Sequence, residues 1–279
     1  MSKWAEFLGV SRGGYYEYML KRDELMEKEA RYKEMVKDIY DDSQGSYGPG
    51  RICGFLRKQG YKASYRKVSR IMAELGITSI HNRRRCRSLT NSKKARGDGY
   101  KNLVRGKSFQ RPYQAVCSDI SYLKTGEGFL YSCIVKDIVT GEVLGQSTSA
   151  NMKKELVIQA FVNAQARHPL GKGMIFHCDR GSQYTSKDFM SMLKSYGIRQ
   201  SFSRVGVPGD NAWAESFFAT FKKERIHFNH FATREEAAFA TFVWIEGLYN
   251  TKRVQKRLGY VSPSEYRKAL LEQEEKVVA

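Results

Sequence analysis

The amino-acid sequence predicts a basic, α-helical amino-terminal region followed by an α/β or α+β region. Charge is the first observation. Residues 51–111 carry 18 Lys+Arg against two acids, Glu74 and Asp98, a net +16. Residues 112–279 carry 22 Lys+Arg against 17 Asp+Glu, a net +5, in a 279-residue chain of net +19. Hydrophobic period is the second: helix-spaced apolar residues before about residue 80 give way to strand-like runs from residue 115 onward. The third is the placing of three acids. Asp119 lies in the run Ala115 to Tyr122, Asp179 follows Met174 to Cys178, and Glu215 sits in a helix-like stretch from Asn211 to Lys222.

Residues 5–18 read as two short helices around a Gly9 turn, the second capped by Ser11, with Ala5, Leu8, Val10, Tyr15 and Tyr16 as a small core. From Lys21 to Tyr40, Leu25, Tyr32, Val36 and Ile39 recur among charges as in an amphipathic, partner-contacting helix. Gly48-Pro49-Gly50 marks a turn, and Arg51–Lys58 a helix ended by Gly60. Ser64 caps a further helix that stops at Gly76. Its apolar stripe is Tyr65, Val68, Ile71, Met72 and Leu75, with Arg66, Lys67 and Arg70 on the other side. A basic helix face after a tight turn suits the DNA-reading helix of a helix-turn-helix, against the alternative of a solvated face on a small bundle. Arg83-Arg84-Arg85, Arg87, Lys93-Lys94 and Arg96 then sit among Ser, Asn and Gly without hydrophobic period, as in a phosphate-binding linker.

The second region begins near Tyr113. Strand-like runs at about 115–123, 129–138 and 143–149 are joined by hairpin-like turns at Gly126-Glu127-Gly128 and Thr140-Gly141. A helix at about 153–167, strand 174–178, helix 186–196, strand 198–202 and the Glu215 helix follow. Arg204 to Asp210 is a Gly/Pro loop able to move over a site, with Asp210 or Asn211 capping the next helix. Asp137 reads as a surface turn residue, with a fourth carboxylate as the alternative. His227 and His230 have zinc-like spacing but no Cys pair beside them, which argues against zinc.

Composition narrows the function classes. At 41% hydrophobic and 13% aromatic residues the chain is of folded rather than disordered type. Neither an apolar run of about 18 residues nor a signal-like start is present, so no membrane partner is expected. Five cysteines at 53, 86, 117, 133 and 178, without a Cys-x-x-Cys pair, fit free thiols in a reducing cytoplasm. Cys117, Cys133 and Cys178 read as small buried hydrophobes. The basic excess says polyanion without choosing between DNA and RNA.

Thirty-five residues lie between Asp179 and Glu215. At 100° per residue, Asn211, Glu215, Phe218, Ala219 and Lys222 share one helix side, and Trp213, Phe217, Thr220 and Phe221 the other. A carboxylate and a cation on one face suit a metal ligand beside a DNA phosphate, and taken alone suit equally an exposed face with ordinary charges. Three converging carboxylates are what metal-assisted phosphodiester chemistry requires.

These segments resemble the DDE transposases that share the retroviral-integrase catalytic core, and look closest to the second-frame (OrfB) product of the insertion-sequence-three family. The likeness rests on Asp119-Ile120-Ser121-Tyr122, Asp179-Arg180-Gly181-Ser182-Gln183-Tyr184-Thr185-Ser186, Ser203-Arg204, Asp210-Asn211-Ala212, Glu215-Ser216-Phe217-Phe218 and Lys222. Tyr249-Asn250, Arg253, Leu258-Gly259-Tyr260, Ser262-Pro263 and Glu265 continue it, and Tyr47-Gly48, Arg51-Ile52, Gly60-Tyr61, Arg70-Ile71-Met72 and Gly76-Ile77 extend it upstream. It departs at Val116, Ser121, Cys178 and Gln255, where Trp, Thr, Ser and His are usual, and no departure removes a carboxylate.

The resemblance implies an RNase H-like core with a mixed five-stranded sheet, preceded by a helix-turn-helix region. It implies Asp119, Asp179 and Glu215 as catalytic residues holding two Mg²⁺, with Mn²⁺ as an alternative. Lys222 and Asn211 would contact DNA in the core, and Arg66, Lys67 and Arg70 in the helical region. The implied reaction joins one element end to the other and then integrates a circular intermediate. Implied partners are double-stranded DNA (terminal repeats and target), further copies of the chain, and an upstream-frame (OrfA) protein or fusion. A bacterial, cytoplasmic, nucleoid-associated location follows. The expected organisation is a helical segment 1–44, helix-turn-helix 45–82, basic linker 83–111, catalytic core 112–250 and tail 251–279. A nuclease of the same fold and a DNA-binding regulator with an inert core are the rival readings.

Overall fold

The structure, a computed structural model, describes residues 11–80, 100–204 and 207–278. The chain divides into two compact units, residues 1–82 and 83–279. The expected small core around Ala5, Leu8 and Val10, and the Arg83–Arg96 stretch, lie outside the described residues.

The first unit holds three helices, α1 (Arg12–Asp42), α2 (Pro49–Lys58) and α3 (Tyr65–Glu74). Ser11 caps α1 by accepting from Gly14 N–H at 3.0 Å. The short helix expected after Ser11 and the helix expected from Lys21 to Tyr40 are one continuous helix from Arg12, and Tyr16 is exposed rather than in a core. Exposed pairs one turn apart, Glu17–Lys21, Glu24–Lys28 and Glu27–Arg31, run along it. Tyr32 and Val36 of α1, Ile52, Cys53 and Leu56 of α2, and Val68, Ile71 and Met72 of α3 are buried. Lys33–Glu74 and Arg70–Glu29 ion pairs join α1 to α3, and Tyr40 donates to the Thr78 carbonyl at 2.9 Å. α1 therefore packs with residues 45–80 instead of standing as a separate segment.

In the second unit β1 (Ala115–Thr125), β2 (Gly128–Asp137), β3 (Val143–Ser149), β4 (Ile175–Cys178) and β5 (Arg199–Phe202) form one sheet in the order β3-β2-β1-β4-β5. The first three strands are antiparallel; β4 and β5 run parallel to β1. Alternate residues of each strand feed opposite faces. Val116, Cys133, Val135, Leu144 and Phe176 pack with α4 (Lys154–Gln165) and α5 (Lys187–Ser195) through Leu156, Phe161 and Phe189. Leu123, Leu130, Ile134 and Val143 pack with α6 (Ala212–Phe221) and the segment after α7 (Arg234–Phe242) through Phe217, Phe221, Trp244 and Tyr249. Gly145 lets α4 lie close on β3, since a Cβ there would stand 2.4 Å from Ala164 N and 2.5 Å from the Ala160 carbonyl.

Both flanks of the core extend further than expected. Phe202 N–H donates to the Lys101 carbonyl at 3.0 Å, Leu103 N–H to Ser201 Oγ at 2.8 Å, and Val104 is buried, so residues 100–111 belong to this unit rather than to a linker. α8 (Pro263–Val278) is tied to the sheet by Ser264 and Arg267, both bonded to the buried Glu142, so the final segment is no loose tail. Asp137 is fully buried and not a surface residue: Oδ2 accepts from Tyr113 N–H, and Oδ1 from Thr140 N–H and Oγ1, closing the turn after β2.

Candidate active site

The parallel ladder of β1 and β4 positions the two aspartates. Ala115, Val116 and Cys117 pair with Ile175, Phe176 and His177, each sixty positions on. Carrying that register two residues further sets Asp119, partway along β1, level with Asp179, the first residue past the carboxyl end of β4. Such a fork, where paired strands part, is the usual binding crevice of an open α/β sheet. Asp119 stands on the same side of β1 as Cys117, which packs with Ala214 of α6, one residue before Glu215. Asp119 and Asp179 therefore face the helix that carries Glu215.

Electrostatics report the convergence. Burial, then repulsion from Asp179 and from Glu215, pushes the Asp119 carboxyl up to about 7, against the Ile120 N–H bond to Oδ1 at 2.9 Å and the attraction of Lys222. Burial also raises Asp179, partly offset by Gly181 N–H donating to Oδ1 at 2.9 Å, although its outer side is open to solvent. Glu215 is exposed in the first turn of α6 and raised by partial desolvation. Among the described residues no three His, Cys, Asp or Glu side chains already close on one point as a metal cluster. Lys222, half-buried at the end of α6, has its ammonium lowered by desolvation and held up by Asp119, and stands 5.0 Å from the Tyr122 ring centroid.

The Integrase core domain family matches residues 110–208 and again 215–271, and the HTH-like domain family matches residues 27–85. The transposase for insertion sequence element IS904 of Lactococcus lactis subsp. lactis (strain IL1403) is 34% identical over 237 residues, covering 84% of this chain and 92% of that protein. This chain belongs to the insertion-sequence transposases. Transposase InsF for insertion sequence IS3A of Escherichia coli (strain K12) is 32% identical over 264 residues, covering 93% and 91% of the two chains. The catalytic core domain of BIV integrase aligns at a TM-score of 0.42 and 16% identity, covering 60% of this chain and 99% of that one.

Within this transposase the other expected site residues are placed unevenly. Asn211 was expected to face DNA and does not: it is buried, and its amide donates to the Ser118 carbonyl at 3.1 Å. It occupies the N-cap position of α6 without a side-chain capping bond. Asp210 instead accepts from Arg204 N–H, Nε and Nη2 and from Asn102 Nδ2, and the Arg204 guanidinium holds its carboxyl well below the usual range. Phe218, expected beside Glu215, is buried with Phe217 and Phe221, because the segment after α7 covers a wide arc of α6. In α3, Arg66 is exposed, Lys67 lies 3.9 Å from the Tyr32 ring centroid, and Arg70 is paired to Glu29 and Glu74. Tyr65 is exposed and not part of the stripe.

Sequence reasoning gave no role to three polar residues, His177, Lys136 and Arg253, the last quoted only for the family likeness. His177 on β4 meets Ser201 Oγ at 2.9 Å, the Asp210 carbonyl at 2.9 Å and Ser203 Oγ at 3.1 Å, all under the loop that leads into α6. Lys136 of β2 is buried and donates to the Trp213 carbonyl at 2.8 Å. Its signal was available: a lysine sharing strand parity with Leu130 and Ile134, which face α6. Arg253 forms a bidentate, buried pair with Glu224, at 3.0 and 2.7 Å. Glu224 belongs to the π-helical turn Lys222–Ile226, which begins at Lys222.

Proposed function

We propose that Asp119, Asp179 and Glu215 are the catalytic set through which this transposase cleaves DNA at element ends and transfers the strands. The observation that carries the reading is the β1–β4 register, which sets two aspartates level at a strand fork facing the helix of a third carboxylate. The donor set fits hard divalent cations, being all carboxylate and mutually repulsive. Asp119, Asp179 and Glu215 would hold two Mg²⁺, or Mn²⁺, which when bound activate the attacking oxygen and stabilise the leaving one. The rest falls to the chain. Lys222 holds a phosphate oxygen next to the scissile bond; water attacks phosphorus in line and expels the strand's 3′-oxygen, which leaves as a 3′-hydroxyl, and that hydroxyl then attacks a second phosphodiester in line and expels its 3′-oxygen in turn. No covalent enzyme–DNA link is required.

Double-stranded DNA, element ends and target alike, is the partner, with Arg66 of α3 as the exposed reader in the helical unit. Copies of this chain and an upstream-frame protein complete the proposed assembly, acting on nucleoid DNA in the cytoplasm. No described helix is long and apolar enough to cross a membrane. Incubation with the element's own ends and Mg²⁺, resolving nicked from joined products, tests the reading. Joined DNA supports strand transfer. Nicks alone mean a nuclease, and bound but intact DNA means a regulator.

A further inference from the structure

Asp119 and Asp179 share a sheet, so backbone ladders set their distance. Glu215 stands on a helix that no ladder reaches. Apolar packing of Phe217 and Phe221 is non-directional. Directional bonds gather at the leading end of α6 instead. Asn211 Nδ2 donates to the carbonyl of Ser118, the neighbour of Asp119. His177, two residues before Asp179, meets the Asp210 carbonyl. Lys136 Nζ reaches the Trp213 carbonyl, two residues before Glu215.

Lys136 is the informative member. It is 5% exposed, no carboxylate stands within ion-pair distance of it among the described residues, and the Phe217 ring centroid lies 5.9 Å from its ammonium. A buried ammonium served by one carbonyl is an expensive way to hold a helix, and an apolar residue of the same length would favour folding. We infer that Lys136 and Asn211 are positioning residues that register the helix-borne Glu215 against the sheet-borne Asp119 and Asp179. This rests on the catalytic reading above.

The test uses the full chain with Lys136→Met, Lys136→Arg, Asn211→Asp, Glu215→Gln and the Lys136→Met/Glu215→Gln pair. Thermal melts, duplex binding, joining, and Mn²⁺ affinity by calorimetry without DNA are measured on each. Lys136→Met is expected to melt at or above the parent and to bind duplex normally. Its joining and its Mn²⁺ affinity should nevertheless fall on the order of 10–100-fold. Lys136→Arg, which keeps a donor, should recover part of both. Asn211→Asp, which loses the donor, should lose joining even where a folded fraction is selected. Because Lys136 acts through Glu215, the double variant should match Glu215→Gln in Mn²⁺ affinity. Full joining and Mn²⁺ affinity in Lys136→Met, or losses that only track a lowered melting temperature, would overturn the inference. Joining retained by Glu215→Gln would instead remove the catalytic reading itself.

Discussion

Asp119 is the residue on which fold and chemistry pull against each other. Its carboxyl ordinarily loses its proton near 3.8, whereas in the folded protein burial and two neighbouring carboxylates push that up to about 7. Between those values the folded state binds more protons than the unfolded one, so stability falls as pH rises and the loss is complete above about 7. Metal-free protein should therefore lose melting temperature from pH 5 to 8 more steeply than Asp119→Asn. The variant should be the more stable of the two at pH 8, by an amount on the order of a few kcal/mol. Equal slopes in scanning fluorimetry would remove Asp119 as the source. The same variant, with Asp179→Asn and Glu215→Gln, is predicted to lose cleavage and joining while keeping duplex affinity in gel-shift titrations. Ca²⁺ should support binding but poor chemistry, because its looser shell misplaces the reacting oxygens.

At the scale of elements, α6 and its π-helical extension carry the proposed site residues Glu215 and Lys222. The Arg253–Glu224 pair is buried and bidentate, so removing one partner strands a charge. Arg253→Met should cost ~3–5 kcal/mol in denaturant unfolding, and Glu224→Leu/Arg253→Met should recover most of it. A single variant as stable as the parent would show that the pair contributes nothing. Lys222 opens the same turn and lies against Tyr122 rather than in the core. Lys222→Ala should therefore reduce joining with little change in melting temperature, and Lys222→Arg should retain part of the activity. Full activity in the Ala variant would leave Lys222 without a role. In α3, Arg66→Ala should weaken binding to element ends, with roughly 1–3 kcal/mol of discrimination lost where it reads a base edge. Arg70 already has two carboxylate partners, so Arg70→Ala should tell mainly in the stability of the helical unit.

Over the whole molecule the excess charge is concentrated in residues 51–111, at a net +16 against +5 for residues 112–279. A protein that neutralises about six to ten phosphates loses roughly 10³–10⁵ in affinity between 50 and 200 mM salt. Duplex binding by the full chain should fall over that range in a log-log plot of constant slope, for element ends and random DNA alike. A flat response would mean that the basic excess does not touch the DNA backbone.

Strand positions and the mixed order of helices and strands were legible from local pattern, and Asp119, Asp179 and Glu215 were singled out as the proposed catalytic set from short motifs and family likeness. Period, turn chemistry and short motifs are written in neighbouring residues. Surroundings were not legible, because they depend on residues far apart in the chain. Asn211 looked outward by helical arithmetic, yet it turns in, because the Ser118 carbonyl lies 93 positions away in sequence and within reach in space. Phe218 looked exposed until the segment after α7 covered it. Asp137 looked like a turn residue and is a buried acceptor for Tyr113 and Thr140. Arg70 looked free, but Glu29 arrives from α1. One residue's chemistry could be named from its neighbours along the chain; which partner would claim it was decided only when packing set distant segments side by side.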